Sequence, residues 1–334
     1  MIREIAVDLG TANTNVAVRA GGPVVRVPSV VALEERTGAI LAVGDGAWAM
    51  LARQGGGVTC IRPFERGSIT DFDLTERLLA GAFERAGVRR FLRPRALIAV
   101  SSTIGLIERR AVREAAVSAG VRAAELIDVT TSSAIGAGLP IERPGGSCIV
   151  HVGGGTTEAA IVSLGGVVST ATAPVGGFDL DAAVRTFLQE AYGVIVGERA
   201  AEELKIAAAS AHEEDDGAYA EVSGRDLESG APKAVRVSSP QLRQAIHEPL
   251  GQIIDVVRAV LTEAPPDLAH DVIEGSIVLA GGGALLRGLA RRVHEETGVP
   301  ARVCERPAEV ATLGAMRAFE AFGRLRDQGI LGGA

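Results

Sequence analysis

Apolar residues alternate with runs of small and polar residues along the chain, and two stretches repeat the same pattern. Residues 5–20 read IAVDLGTANTNVAVRA and residues 149–164 read IVHVGGGTTEAAIVSL. Each stretch has an apolar strand, a turn of small residues and a second strand of alternating polarity. An offset of 143 positions (151 − 8) places Asp8 on His151. Because this offset is too long for a solenoid repeat, it predicts a duplicated domain whose two halves each open with a hairpin.

Elsewhere the pattern predicts strands that alternate with helices, as in an α/β fold. The predicted strands cover residues 24–33, 40–43, 96–100, 126–127 and 276–280. The predicted helices cover residues 74–86, 106–119, 132–138, 181–192, 200–211, 241–263 and 285–297. Asp73 is expected to cap the first of these helices, and the sixth is expected to be interrupted near Pro249.

Three further segments bear on location and solvation. Residues 159–178 carry no charge and are long enough to cross a bilayer, but their Gly-Gly pairs and Pro174 favour a hairpin. The acidic segment 212–217 is expected to be a solvated loop. Glu4 and Asp8 interrupt the first apolar run, so we expect no secretory signal and a cytoplasmic protein.

Composition narrows the possible functions. The 334-residue chain is longer than one hydrophobic core usually spans, which predicts two domains or two halves. Its net charge of −7 argues against nucleic-acid binding, because that function needs a basic face. Lys205 and Lys233 are the only lysines, and neither follows a glycine, which excludes a Walker-type phosphate loop. The three cysteines are widely spaced and match no metal-binding pattern.

Three turns of small residues each follow an apolar strand. They cover Gly10–Thr14, Gly153–Thr157 and Gly281–Ala284. Glycine lets the backbone approach phosphate oxygens closely, and threonine hydroxyls add hydrogen-bond donors. The helix predicted after the third turn would add free N–H groups and a positive dipole end. Three such turns together, two of them related by the repeat, predict a bound nucleotide.

The chain resembles the MreB-type bacterial actins, which belong to the superfamily of actin, sugar kinases and heat-shock chaperone ATPases. The matching runs are collinear between residue 5 and about residue 320, so they cover essentially the whole chain. These runs lie at residues 8–14, 28–31, 61–63, 71–72, 108–110, 134–140, 153–158 and 281–289.

This resemblance implies an actin-like ATPase fold, with two duplicated α/β domains around a nucleotide cleft. It places the first domain at residues 1–140, with a small inserted subdomain at about 30–70. It places the second domain at residues 141–320, with an inserted subdomain at about 180–245. The extreme C-terminal helix is expected to pack back on the first domain, which leaves residues 321–334 as a tail.

The resemblance also implies ATP or ADP and Mg²⁺ in the cleft. Asp8 would hold Mg²⁺ through water, while Glu202 and Lys205, on one helix face, would contact the adenosine. The remaining matches form two phosphate hairpins and an adenosine-side turn. They are Gly10, Thr11, Ala12 and Asn13; Gly153, Gly154, Gly155 and Thr156; and Gly281, Gly282, Gly283, Ala284 and Leu285.

Two positions depart from the family's pattern, and both bear on hydrolysis. Val129 stands where the family has a Glu that positions the attacking water, and an isopropyl group can neither orient nor deprotonate water. His151 stands where the family has an Asp, and imidazole is a poor ligand for a hard cation. Asp128 could replace the missing acid only if the chain shifted by one residue. We therefore assign no catalytic residue and expect slow or absent hydrolysis, or weakened Mg²⁺ binding; an active ATPase with altered residues is the alternative.

The family forms filaments at the inner face of the cell membrane, where they guide wall synthesis and set cell shape. The resemblance therefore implies self-association, peripheral membrane attachment, and membrane proteins of cell shape and wall synthesis as partners. Phe91 and Leu92 occupy the position of the family's apolar membrane-inserting loop. The arginines around them are Arg89, Arg90, Arg93 and Arg95.

Other functions in the superfamily remain as alternatives. A sugar kinase would need an aspartate base facing a sugar, and no matching motif is present. A heat-shock chaperone would need a further substrate-binding domain beyond residue 334. A non-polymerising relative that caps or scaffolds the filaments of another protein fits the same sequence features as a filament former.

Overall fold

A computed structural model describes residues 4–19, 21–51, 56–89, 91–215 and 217–319. Three predictions fall outside these residues: the tail 321–334, Arg90 of the basic loop and Asp216 of the acidic segment.

Strands and helices alternate along the described chain. The strands are β1 (Glu4–Leu9), β2 (Asn13–Val18), β3 (Val25–Pro28), β4 (Val31–Glu34), β5 (Ile40–Val43), β6 (Val58–Ile61), β7 (Phe64–Glu65), β8 (Ser68–Ile69), β9 (Arg95–Val100), β10 (Ala123–Asp128), β11 (Ser147–Val152), β12 (Thr157–Ser163), β13 (Gly166–Ala173), β14 (Val194–Ile195), β15 (Tyr219–Asp226), β16 (Pro232–Ser238), β17 (Ile277–Ala280) and β18 (Ala301–Val303). The helices are α1 (Asp45–Met50), α2 (Phe72–Arg85), α3 (Leu106–Ala119), α4 (Val129–Gly136), α5 (Gly177–Tyr192), α6 (Glu198–Ala208), α7 (Ser239–Ala245), α8 (His247–Thr262), α9 (Pro266–Gly275), α10 (Leu289–Thr297) and α11 (Val310–Ala318).

Two five-stranded sheets share one topology. The first has the order β3-β2-β1-β9-β10 and the second β13-β12-β11-β17-β18. In each sheet the first three strands are antiparallel neighbours, whereas the fourth strand pairs in parallel with the central strand and the fifth pairs in parallel with the fourth. The same order and directions in both sheets are the arrangement that the repeated sequence pattern predicts.

Two helices lie between these sheets. Apolar side chains of α4 and α11 pack on the first sheet through one cluster and on the second sheet through another. Helices α2 and α3 cover the opposite face of the first sheet, and α5, α6 and α8 contribute to the core of the second. The two hairpins β1–β2 and β11–β12 are thereby brought to face each other. Smaller sheets of three strands, β5-β4-β6 and β14-β15-β16, lie beside the two larger ones.

Several helix ends differ from the sequence prediction. The N-cap of α2 is Asp71, whose carboxylate accepts a hydrogen bond from Leu74 N at 2.9 Å, so the prediction of Asp73 as the cap was wrong. Helix α4 begins at Val129 rather than at residue 132, because burial outweighs the weak helix propensity of its β-branched residues. The helix predicted at 241–263 is divided at Ile246 into α7 and α8.

The C-terminal third contains two further differences. Helix α9 was not predicted. It begins at Pro266, because proline is well tolerated in the first turn of a helix, where its N–H is not needed. The third glycine turn continues as a single 3₁₀ turn, Gly282–Leu285, and not as the predicted helix. Helix α10 starts only at Leu289, after Gly288 adopts a left-handed backbone with φ of 74°.

Two of the remaining predictions had opposite outcomes. The uncharged stretch 159–178 contributes to the hairpin β12–β13, as predicted, and no helix in the described ranges is long and apolar enough to cross a membrane. The acidic segment is more ordered than a solvated loop, because Glu213–Asp215 form a 3₁₀ turn and His212 is buried.

Candidate nucleotide-binding site

A cavity of about 270 Å³ lies between the two hairpins. His151 lines it, and so do most residues predicted for the nucleotide site: Asp8, Gly10, Thr11, Ala12, Asn13, Gly153, Gly154, Glu202, Lys205, Gly281, Gly282, Gly283 and Leu285. Three do not. Gly155 lines a neighbouring cavity, Thr156 lies in the second turn away from the lining, and Ala284 is buried in the core of the second half.

The two hairpins close in the same way and meet at their tips. Gly10 N donates to Asn13 O at 3.2 Å, and Gly153 N donates to Thr156 O at 2.8 Å. A β-carbon on Gly154 would lie 2.8 Å from Ala12 Cβ, closer than real β-carbons approach other atoms. Glycine is therefore required at this position by the packing of one hairpin against the other. Residues of both turns then line the cavity from opposite sides.

The third turn is held against the second hairpin. Gly281 has φ of 82°, and a β-carbon there would lie 2.3 Å from Val152 O. A β-carbon on Gly283 would lie equally close to Val152 Cγ1. Gly282 between them has open space around its α-carbon and lines the cavity. Glycine is therefore required at positions 281 and 283 by close packing against Val152. At position 282 its missing side chain leaves the cavity open.

Asp8 is a buried carboxylate, and few polar contacts offset the cost of removing its charge from water. Its Oδ2 accepts a hydrogen bond from Asn15 Nδ2 at 3.3 Å. Burial raises the pKa of the Asp8 carboxyl to about 7; the charge of Glu158 adds to this rise, and the hydrogen bond from Asn15 opposes it. A cation beside Asp8 would supply the missing positive charge. The residue thus fits a Mg²⁺ that keeps most of its water and phosphate ligands, which needs only one or two carboxylates from the protein.

His151 lines the cavity as a neutral side chain. Its Nδ1 lies 2.9 Å from Ser133 Oγ in a buried contact. Burial lowers the pKa of the His151 imidazole to about 4, so the ring carries no charge at neutral pH. The ring cannot serve as the carboxylate that the family pattern has at this position. Its conjugate acid is also too strong for the ring to be an efficient general base near neutral pH.

Val129 and Asp128, the other two residues that the sequence analysis related to hydrolysis, lie outside the cavity lining. Val129 is buried in the apolar cluster between α4, α11 and the first sheet. Asp128 Oδ1 accepts from Arg109 Nη2 at 2.6 Å, and this ion pair directs the carboxylate toward α3. Asp128 therefore does not face the cavity as a replacement for the missing acid.

Glu158 is a buried acid that the sequence analysis did not single out. It is the cross-strand neighbour of His151 in the β11–β12 hairpin, and its Oε2 accepts from Ser102 N at 2.9 Å and Ser102 Oγ at 2.7 Å. Its Oε1 is buried without a hydrogen-bond partner among the described residues. Burial raises the pKa of this carboxyl, although the hydrogen bonds from Ser102 and Ser101 oppose the rise. Glu158 is the last residue of the run 153–158, one of the runs on which the family resemblance rests. Its position in that run could have marked it as a site residue.

Lys205 is held by α5. Its Nζ lies 2.7 Å from Asp181 Oδ1 and donates to Gly177 O at 3.0 Å. Burial raises the pKa of Asp181 to about 6, and the charge of Lys205 opposes this rise. Asp181 and Gly177 both line the cavity but were missed by the sequence analysis, since nothing in the local pattern pairs residues from two different helices. The other lining residues it missed are Asn15, Arg26, Phe178, Leu180, Ile206, Ala209, Leu286, Arg287 and Ala308.

Phe91 and Leu92 lie far from this cavity, on the loop before β9. Phe91 is 74% exposed and Leu92 is half-buried. Leu92 N donates to Arg89 O at 2.8 Å, which closes a tight turn with Phe91 at its tip. The two side chains therefore differ in exposure: the Phe91 ring is mostly in solvent, whereas the Leu92 side chain is partly packed.

Comparisons with known proteins place the chain in a family. The sequence model of the MreB/Mbl protein family matches residues 2–327. The cell shape-determining protein MreB of Escherichia coli (strain K12) is 41% identical over 323 residues, which cover 95% of this chain and 93% of that protein. The cell shape-determining protein Mbl of Bacillus subtilis (strain 168) is 37% identical over 315 residues, covering 93% and 94%.

Solved structures show the same relationship. MreB5 of Spiroplasma citri bound to ADP superposes with a TM-score of 0.90 at 28% identity, covering 97% of this chain and 98% of that one. The MamK double helical filament gives a TM-score of 0.79 at 22% identity, covering 95% and 99%, and shares the fold. A family match over almost the whole length, together with these superpositions, shows that the chain has the actin-like α/β fold and belongs to the MreB/Mbl family.

Proposed function

We propose that the protein binds ATP or ADP in the cleft between its two hairpins and polymerises into filaments that help set cell shape. The observation that carries this proposal is the cavity itself, which residues from all three small-residue turns line together. The names of the relatives support the same function, because they are cell shape-determining proteins and one solved relative holds ADP.

The cavity has an apolar end and a glycine-rich end, which suggests how a nucleotide would lie. Ile206 and Leu285 are 70% and 61% exposed, and both line the cavity. Such side chains fit a flat base better than water, and Glu202 lies on the same helix as Ile206. The phosphates would then lie between the hairpins. The ion pair with Asp181 makes Lys205 a positioning residue, with its stem rather than its ammonium group toward the adenosine.

Asp8 is the residue that would hold Mg²⁺, through water. When bound, the cation would neutralise charge on the phosphates and on the buried carboxylate. The burial that raises the pKa of Asp8 to about 7 makes cation binding pH-dependent, because the carboxyl must lose its proton to attract Mg²⁺.

Sedimentation and electron microscopy of the purified chain with ATP, ADP or no nucleotide test the proposal. We expect filaments that pellet with ATP and fewer without nucleotide. A protein that stays in the supernatant under all three conditions, yet binds nucleotide, would be the non-polymerising regulator. Transfer of phosphate to a sugar in a panel of sugars would instead support a kinase.

Hydrolysis should be slow in the unmodified protein and faster in a variant with both acids restored. We expect Val129→Glu combined with His151→Asp to raise phosphate release at least about tenfold. The aspartate returns an acid to a position that lines the cavity. The glutamate is longer than valine and stands at the first residue of α4, so we expect its charged end to leave the apolar cluster and reach the water in the cleft. Phosphate release is measured in the presence of ATP and Mg²⁺.

The matched control carries Val129→Gln and His151→Asn, which have similar shapes but no charge. Equal rates in the two double variants would contradict the role of the carboxylates. Rapid release by the unmodified protein would show that another group, such as Glu158, positions the water.

The loop before β9, which carries Phe91, Leu92 and the surrounding arginines, should attach filaments to anionic membranes. Phe91 contributes at most about 1.5–3 kcal/mol on insertion, and each arginine near the surface about 1 kcal/mol. The binding free energy of one loop is therefore weak, but a filament presents many copies of the loop to the membrane at once. We expect Phe91→Ser with Leu92→Ser to weaken co-sedimentation with anionic liposomes about tenfold under polymerising conditions.

The control for this experiment is Val167→Ser with Val168→Ser, which removes a similar exposed apolar pair from β13. Its pelleting should match that of the unmodified protein. Equal pelleting of the loop variant, or no pelleting of any protein, would remove the loop from the mechanism.

A further inference from the structure

Arg62 is enclosed at the edge of the cleft by residues from both halves of the molecule. It directly follows β6, and its guanidinium lies over two aromatic rings. The Cζ atom is 4.3 Å from the ring centroid of Phe178 on α5 and 5.8 Å from that of Trp48 on α1. The side chain is only 10% exposed. A guanidinium so placed between rings gains a cation–π interaction that strengthens as water is removed.

The same guanidinium forms an ion pair across the cleft. Its Nη2 bonds Glu198, the first residue of α6, where a carboxylate is also favoured by the helix dipole. Its Nη1 is buried and has no hydrogen-bond partner within the described part of the chain. The charge is thus held by one carboxylate and two rings. We call Trp48, Arg62, Phe178 and Glu198 the Arg62 clasp.

The clasp is connected directly to the phosphate hairpins. Phe178 N donates to Gly154 O of the second hairpin at 2.8 Å. On the other side, Arg66 N donates to Thr11 Oγ1 of the first hairpin at 3.1 Å, and Arg66 Nη2 lies 3.2 Å from Asp179, the neighbour of Phe178. A movement that separates the hairpins therefore also pulls Arg62 away from Phe178 and Glu198.

Space around the clasp allows it to open. Arg62 and Phe178 together line two further cavities, of about 260 and 270 Å³, one on the side of Arg66 and one on the side of Trp48. A close-packed core resists separation because many contacts break at once. Arg62 and Phe178 are flanked by cavities, so fewer contacts break when these two side chains move apart. Arg62 and Phe178 thus join the two halves, while Trp48 packs on the small apolar cluster of Val30, Ala32 and Ala47 in the first half.

We propose that the Arg62 clasp sets the residence time of the bound nucleotide by holding the two phosphate hairpins together. This rests on the proposed nucleotide binding. The phosphates lie between hairpins that already touch through Ala12 and Gly154, so release requires the halves to separate. Arg62 is a positioning residue in this scheme, because it acts through the hairpins and does not line the nucleotide cavity. Phe178 does line that cavity, so the two Arg62 variants separate the effect of the clasp from direct contact with the nucleotide.

The test uses the single tryptophan of the chain as a built-in reporter. Trp48 lies under Arg62, so its fluorescence and its quenching by acrylamide respond to opening of the clasp. Dissociation of a fluorescent ADP analogue, chased with excess ADP, is followed by stopped flow for the unmodified protein and for Phe178→Leu, Arg62→Ala and Arg62→Lys. Circular dichroism verifies that each variant is folded.

We expect Phe178→Leu and Arg62→Ala to dissociate the analogue about tenfold faster, with association changed less than about twofold. Arg62→Lys keeps the charge but loses the planar stacking, and should lie between them and the unmodified protein. Acrylamide should reach Trp48 more easily in the fast variants. The control Arg110→Ala removes an exposed arginine that pairs with Glu114 on its own helix, and it should change neither measurement.

Unchanged dissociation in Phe178→Leu and Arg62→Lys, with intact binding, would overturn the clasp and leave the proposed function standing. Faster dissociation without any change at Trp48 would also overturn it, since the effect would then arise elsewhere. If the unmodified protein binds no ADP at millimolar concentration, both the proposed function and the clasp are wrong.

Discussion

Replacing Gly154 and Gly282 together by valine should weaken ATP and ADP binding at least about 100-fold. A side chain on Gly154 would collide with Ala12 and push the two hairpins apart. A β-carbon on Gly282 has no described atom within 4 Å beyond its chain neighbours, so we expect the valine side chain to project into the cavity where the nucleotide is expected. Calorimetric titration with each nucleotide measures the loss.

The matched control carries valine at Gly251 and Gly275, which lie in helices with open space around their α-carbons and away from the cavity. Its affinity should equal that of the unmodified protein. If the Gly154→Val/Gly282→Val variant is folded and binds nucleotide normally, the nucleotide lies elsewhere.

Replacing Gly314 by alanine should lower the free energy of unfolding by about 3 kcal/mol or more. Gly314 on α11 faces Gly136 on α4, and a β-carbon on Gly314 would lie 1.7 Å from Ser132 O. That oxygen belongs to the backbone and cannot rotate away, so the two helices must separate. Separation would also stretch the hydrogen bond from Ser132 Oγ to Ala311 O, now 2.6 Å. Urea denaturation followed by circular dichroism gives the change.

Gly251→Ala serves as the control, because the same substitution in an open helical position should be neutral or slightly stabilising. An equal midpoint of unfolding for the Gly314 variant and the control would show that α4 and α11 can adapt. The contact matters for function as well as stability, since these two helices lie between the sheets at the base of the cleft.

The unusual electrostatics of the cleft follow from burial. Asp8, Glu158 and Asp181 all have raised carboxyl pKa values, and His151 has a lowered imidazole pKa, with desolvation as the main cause for each. A site that disfavours charged side chains so strongly gains most from a ligand that carries its own cation. This supports a nucleotide bound with Mg²⁺, in which the ion offsets the charge of Asp8 and the phosphates.

The sequence by itself determined the local framework of the protein. The repeated pattern around Asp8 and His151 predicted two hairpins, and the two sheets that contain them have the same strand order. The glycine turns predicted nine of the 25 residues that line the cavity, because a tight turn after a strand depends on only a few neighbouring residues. Helix α3 was predicted with both ends correct, since its apolar spacing and Gly120 specify it locally.

Only the tertiary structure decided how distant residues combine. Asn15 Nδ2 donates to both Asp8 and Ala308 O, although the last two are 300 positions apart (308 − 8). The partners of Lys205, and the burial of Val129 away from the cavity, also depend on which helices pack together. Local sequence patterns specify backbone conformation, whereas desolvation and ion pairing depend on neighbours supplied by the whole fold. The sequence could therefore predict many of the residues that line the cavity but not the charge state of the groups around it.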